Sequence, residues 1–243
     1  MRIKLVSDLH LEFSDINIQN DQNYDVLILS GDIMIAQDLH DHPVVPSIYE
    51  YGSFAELGRK QKRVQTFRDF LKRMSNLFPH VIYVAGNHEF YHGKWFASLD
   101  HLREECAKYP NIHFLEKNAI TIDDVMFVGG TLWTDMNNHD SLTLYHMKAM
   151  MNDYRQITMF NEAKSVYHRL TPERTVQEHV KTKEYFRHVL SENRQGRNLP
   201  VVVCTHHSPS KLSTHPRYAD DTMMNGAYSS NLEEFILDNP EIK

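Results

Sequence analysis

Cysteine is scarce in this sequence. Cys106 and Cys204 are the two among 243 residues, too few for a disulfide framework, and they fit a reducing compartment such as the cytoplasm. Long apolar runs are missing too. The longest purely aliphatic stretch is four residues, as in Val26-Leu27-Ile28-Leu29, so nothing in the sequence is built to span a bilayer. The chain opens directly on a strand-like run, Ile3 to Val6, with no signal-peptide apolar segment. An excess of positive charge is also absent: 26 Lys and Arg stand against 32 Asp and Glu, a net charge of −6. A protein that sheathes DNA or RNA carries the opposite sign. The balance argues against strong nucleic-acid binding and leaves room for a small phosphorylated substrate held by metal ions. What the sequence does have is histidine, 16 residues of it. Histidine is the commonest transition-metal ligand, and spacing decides whether the count means anything.

The first third alternates strand and helix patterns. Ile3–Val6, Val26–Leu29 and Val81–Ala85 are short buried-type runs. Between the second and third, Val64, Phe67, Leu71, Met74 and Phe78 recur at steps of three and four, one face of a helix, stopped by Pro79. Phe96, Leu99, Leu102 and Cys106 give another helical face. This rhythm predicts a largely parallel α/β sheet with both faces covered. Short strands follow at 112–115, 120–122 and 125–128, the last two joined by Asp123-Asp124 in a hairpin. Residues 141–195 read as a polar, Met-rich, mostly helical insertion, with Thr171-Pro172 as an N-cap and first helical position. Met147, Met150 and Met151 there read as core filler. Val201–Cys204 returns to a buried strand. With no repeat, low-complexity tract or linker, 1–243 reads as a single domain.

Each strong strand ends in metal-competent chemistry: Asp8-Leu9-His10, Gly31-Asp32, Gly86-Asn87-His88-Glu89 and His206-His207. In an open α/β sheet ligands bind beyond the carboxyl ends of parallel strands. Asp, His, Asp, Asn and His delivered to one edge make a mixed oxygen and nitrogen site, suited to Mn²⁺, Fe or Zn²⁺ above Ca²⁺ or Mg²⁺. Asp8 and His10, two apart at a strand end, can reach one ion. Gly31 permits a tight turn that sets Asp32 between two ions, a carboxylate spanning metals about 3.5–4 Å apart. Asn87 adds a neutral carbonyl oxygen. His88 is aimed at substrate, and Glu89 is in position to orient or polarise its imidazole. His207 stays open as an alternative to His206. Asp38-Leu39-His40 repeats the first tripeptide but follows no strand, and it reads with Asp41-His42-Pro43 as a solvated loop.

This ordered set resembles the calcineurin-like metallophosphoesterase superfamily, whose pattern runs Asp-x-His, Gly-Asp, Gly-Asn-His-Asp/Glu, a lone His after a strand, then Gly-His-x-His. The segments 131–135, 151–155 and 205–209 also resemble a largely uncharacterised bacterial and phage branch. The resemblance implies a four-layer αββα sandwich with two divalent metal ions between the sheets, manganese foremost. It implies that Asp8 and His10 hold the first ion, that Asp32 bridges, that Asn87 and His206 hold the second, and that His88 stabilises or protonates the leaving oxygen. Two departures stand out. Position 35 is Ile where the family often has a second Asp, and Gly-His-x-His is absent, so the chain reads as truncated with its C-terminal strands missing.

The reading is then a metal-dependent phosphoesterase, acting on a mono- or diester through a metal-activated hydroxide, with Arg155 and Arg217 as candidate bidentate phosphate clamps. Two alternatives are a non-catalytic remnant that binds metal or phosphorylated ligands weakly and a nuclease on the same fold.

Overall fold

The computed structural model describes residues 1–40, 54–161 and 164–243. Four parallel strands form the first sheet: β1 (Ile3–Val6), β2 (Val26–Ser30), β3 (His80–Val84) and β4 (Ile112–Phe114), in that spatial order. A second sheet has the order β5 (Asn118–Ile122), β6 (Val125–Gly130) and β9 (Val201–Thr205). In it β5 and β6 are antiparallel, and β6 and β9 parallel. The β5–β6 turn places Asp123 and Asp124 at φ 46° and 61°, the doubly left-handed geometry of a two-residue hairpin.

Strand alternation decides what each face meets. Leu27, Leu29, Val81 and Tyr83 point from the first sheet into one core with Phe67, Phe70, Leu71 and Met74 of α1 (Phe54–Leu77) and Leu99 and Leu102 of α2 (Trp95–Cys106). Their neighbours Val26, Ile28, Ile82 and Val84 point the other way, against Ile122, Phe127 and Cys204 of the second sheet. On that sheet's far side, Val128 and Val201 meet Phe186, Val189 and Leu190 of α5 (Pro172–Gln195). The layers are helix, sheet, sheet, helix: the αββα sandwich. Thr171 caps α5, its hydroxyl accepting from the Arg174 N–H, with Pro172 at the first turn.

The 141–195 segment is not helical throughout. After α3 (Ser141–Met150) and the short α4 (Asp153–Gln156), an antiparallel hairpin of β7 (Thr158–Asn161) and β8 (Val166–Arg169) intervenes before α5. Its β-branched and aromatic residues are half-exposed, so no apolar alternation marks it. The methionines also divide: Met147 is buried, whereas Met150 and Met151 line the cavity described below. Asp38-Leu39-His40 is a 3-10 turn (Ala36–Leu39) and its cap rather than a solvated loop. Leu39 is buried, and Asp38 is buried against Arg63, whose Nε lies 2.8 Å from its carboxylate. His40 is exposed at the protein surface. Asp41, His42 and Pro43 lie outside the described residues. Beyond β9 come α6 (Thr222–Tyr228) and α7 (Glu233–Leu237), and Ile242 pairs in parallel with Val201. Among the described residues, no helix is long and apolar enough to cross a membrane.

Candidate metal centre

The carboxyl ends of β1, β2, β3 and β9 open into one cavity of about 550 Å³, lined among others by Asp8, His10, Asp32, Asn87, His88 and His206. Backbone bonds stitch the first two loops together: Asp8 N–H to the Gly31 carbonyl (3.0 Å), His10 N–H to that of Asp32 (3.0 Å) and Leu11 N–H to that of Ile33 (2.9 Å). This stitching holds Asp8, His10 and Asp32 at φ 55°, 47° and 54°. Left-handed backbone at three non-glycine residues costs free energy and gathers at functional sites. Gly31 itself sits at φ 83°. A Cβ on Gly86 would collide with the Asp32 carboxylate, so that close approach requires glycine. Ser30 ties the two sheets at the cavity floor, its hydroxyl donating to the Thr205 carbonyl at 2.5 Å.

The donor chemistry around His206 fits a cation. His206 Nδ1 lies 2.9 Å from the Ser30 carbonyl oxygen, so it carries the proton. A neutral imidazole has one N–H, so Nε2 presents a lone pair. That lone pair faces Asn87 Oδ1 at 3.2 Å and Asp32 Oδ1 at 3.5 Å. The Asn87 amide cannot supply the missing proton. Its Nδ2 donates to Asp153 Oδ1 at 2.7 Å and to the Tyr91 hydroxyl at 3.3 Å, which turns Oδ1 into the cavity. With His206 neutral, its Nε2 thus converges with Asn87 Oδ1 and with Asp32 Oδ1, which also accepts from the His88 N–H at 2.8 Å. On the other side of Asp32, ligand atoms of Asp8, His10 and Asp32 lie within 4.8 Å of one another. Both sets suit a borderline divalent ion.

Glu12 organises the two imidazoles on that side. Its Oε1 accepts from Nδ1 of His88 at 2.7 Å and from Nδ1 of His10 at 3.3 Å. Both Nε2 atoms then face Asp32 Oδ2, at 3.9 Å and 4.0 Å. Burial opposes a charge on His88, but the Glu12 hydrogen bond and the charges of Asp32 and Glu12 outweigh it and raise its pKa. Burial likewise pushes Glu12 up, and the hydrogen bonds from His88, from the backbone and from His10, together with the charge of His88, outweigh it and lower its pKa. The pair favours imidazolium with carboxylate.

Glu89 does not orient His88, contrary to the sequence expectation. Its side chain has no accessible surface. Oε1 accepts from the N–H groups of Ile33 (2.7 Å) and Met34 (3.2 Å) and from the Tyr83 hydroxyl (2.8 Å). Oε2 accepts from the N–H groups of Asp32 (2.9 Å) and Gly86 (2.6 Å). It is the internal brace between the loops after β2 and β3, and the His88 partner is Glu12. His207 is buried against Trp133, with ring centroids 5.1 Å apart, and burial lowers its pKa; His206 is the residue that faces Asn87 and Asp32.

The two arginines are not among the residues lining this cavity. The Arg155 guanidinium bonds the Ala149 carbonyl, and that of Arg217 lies 5.5 Å from the Tyr218 ring centroid. Two carboxylates were missed by the sequence reading, Glu12 and Asp153. Asp153 lies in the 151–155 segment that the resemblance had singled out. Glu12 extends the alternation of Asp8 and His10 by one step. Those were the available signals.

The calcineurin-like phosphoesterase family model matches residues 1–242. An uncharacterised protein of Acanthamoeba polyphaga mimivirus is 26% identical over 256 residues, covering 100% of this chain and 82% of its own length. Among solved structures, the phosphopantetheinyl hydrolase of Mycobacterium tuberculosis superposes with a TM-score of 0.55 at 15% identity. The overlap spans 95% of this chain and 76% of that one. At that identity the likeness is one of fold.

Proposed function

The chain belongs to the calcineurin-like phosphoesterase family, and from that premise we propose that it hydrolyses a small phosphate ester at a dinuclear metal site. The observation that carries this is the convergence of ligand atoms on both sides of Asp32, Asn87 Oδ1 and His206 Nε2 on one and Asp8 and His10 on the other. In this reading Asp8 and His10 hold one ion, Asn87 and His206 the other, and Asp32 serves both. Divalent ions there, manganese being our choice, would supply positive charge to the phosphoryl oxygens and acidify water. The rest is done by the chain. Asp153 and Tyr91 fix the Asn87 amide so that its oxygen, not its nitrogen, faces the centre. Glu12 fixes the His88 tautomer by accepting a hydrogen bond from Nδ1–H. A protonated His88 then carries its second proton on Nε2, which faces the cavity beside Asp32. There it can be passed to a departing alkoxide, a contribution on the order of 10²–10⁴-fold. Cys106 and Cys204 are buried free thiols, in keeping with a cytoplasmic protein.

Dialysed protein reloaded with Mn²⁺ tests this. We expect about two ions per chain by elemental analysis, with metal-dependent hydrolysis of bis-p-nitrophenyl phosphate or of p-nitrophenyl phosphate. Retention of metal without turnover of either ester would favour the non-catalytic alternative, and failure to retain metal would overturn the site.

A further inference from the structure

A second cavity, of about 590 Å³, continues from the metal centre and shares Ser208, Met224 and Tyr228 with it. Its walls are the thioether of Met224, the rings of Tyr218 and Tyr228, and small polar groups such as Thr214 and Asn225. The charge pattern is as informative as the apolar area. Among the described residues, neither cavity is lined by a lysine or arginine, and the one formally charged side chain lining the second is Asp221. A pocket that receives a further phosphate or a carboxylate needs donors or cations. This one offers a carboxylate instead, which repels them.

The wall is preformed. Met224 and Tyr228 stand four residues apart on α6, on one helical face. The helix start is fixed twice: Asp221 accepts from the Met224 N–H at 3.1 Å, and Asn137 donates to the Thr222 carbonyl at 3.0 Å. Asn137 belongs to a turn, Met136–His139, whose residues all have positive φ. Aromatic and thioether surface next to the metal centre selects by apolar burial.

We infer that this cavity is the subsite for an uncharged aromatic or bulky apolar ester group, so that the substrate is a monoanionic phosphodiester bearing such a group. The substrate class rests on the phosphoesterase reading; the subsite itself does not. In the hydrolysis, water adds its oxygen to phosphorus, one P–O bond breaks, the departing alcohol takes a proton, and a phosphomonoester remains.

The two are separable by using one probe pair for binding and another for turnover. Calorimetric titration of the Mn²⁺-loaded protein with benzyl(methyl)phosphinate and with dimethylphosphinate compares a ring with a methyl on the same anion, and neither has a P–O–C bond to hydrolyse. We expect the benzyl compound to bind about ten-fold tighter or more. The double variant Met224→Ala, Tyr228→Ala should bring the ratio near one, with its circular dichroism and metal content unchanged. Benzyl methyl phosphate and dimethyl phosphate, followed by phosphorus NMR, give turnover. Equal affinities in the wild type, or a ratio that survives the double variant, overturn the subsite whatever the turnover. A ten-fold ratio without turnover of either diester leaves the subsite standing and overturns the hydrolase reading and the substrate class with it.

Discussion

Replacing Glu89 with glutamine separates the brace seen in the structure from the orienting role expected from the sequence. The carboxylate accepts five hydrogen bonds, three on Oε1 and two on Oε2. Glutamine is nearly the same size and keeps one oxygen. If that oxygen keeps the three bonds of Oε1, the new NH₂ faces the N–H groups of Asp32 and Gly86. Two buried donors are then left unpaired and pressed against a third. Each unsatisfied buried donor costs about 1–3 kcal/mol, so the substitution costs roughly 2–6 kcal/mol. Burial and the neighbouring Asp32 charge push the Glu89 pKa upward, and loss of the negative charge relieves some of that strain. The lower half of the range is therefore expected, still a large part of an ordinary domain's stability of about 5–15 kcal/mol. Because the orphaned N–H groups belong to Asp32 and Gly86, the loops after β2 and β3 should separate and metal retention should fall with stability. Urea unfolding read by circular dichroism gives the first quantity, and elemental analysis of dialysed protein the second. A loss under about 0.5 kcal/mol, the scale of a neutral surface change, with activity alone impaired, would refute the brace and restore Glu89 as a partner of His88.

Glu12→Gln should lower kcat by about 10–100-fold, the usual cost of losing a supporting carboxylate, while the urea midpoint changes little; unaltered kcat would remove Glu12 from the mechanism. Asp32→Asn should cost more bound metal than His88→Ala, since Asp32 faces ligands on both of its sides whereas His88 is assigned to the substrate. Equal metal loss in the two dialysed variants would contradict those assignments. Arg155→Ala and Arg217→Ala, outside the cavity lining, should leave kcat/KM within about three-fold, a surface-scale change; a loss of a hundred-fold in either would restore it as a clamp. His179 is buried on α5, and burial lowers its pKa. Below the ordinary histidine value of about 6.5 the unfolded chain therefore binds more protons than the fold, and stability falls as pH drops from there through the folded pKa. His179→Leu should flatten that decline in pH-dependent urea unfolding, and an unchanged slope would show that other groups set it.

The sequence by itself determined what the chain presents at each strand end. A buried strand followed at once by Asp-x-His, Gly-Asp or Gly-Asn-His is a local pattern, fixed by residue type and a spacing of one or two. That β2 and β3 are covered on both faces was legible for the same reason, since both strands are apolar almost throughout. The hairpin of β7 and β8 was not, because its half-exposed strands show no apolar alternation. What only the tertiary structure decided are the pairings across long stretches of chain. Glu12 meets His88 over 76 residues, and Asn87 meets Asp153 over 66. Glu89 next to His88 in sequence suggested a partnership that backbone packing gives instead to the loops after β2 and β3. A carboxylate's neighbours in sequence are set by the chain, but its hydrogen bonds are set by whichever buried donors lack a partner when the sheets close, and those donors come from elsewhere in the fold.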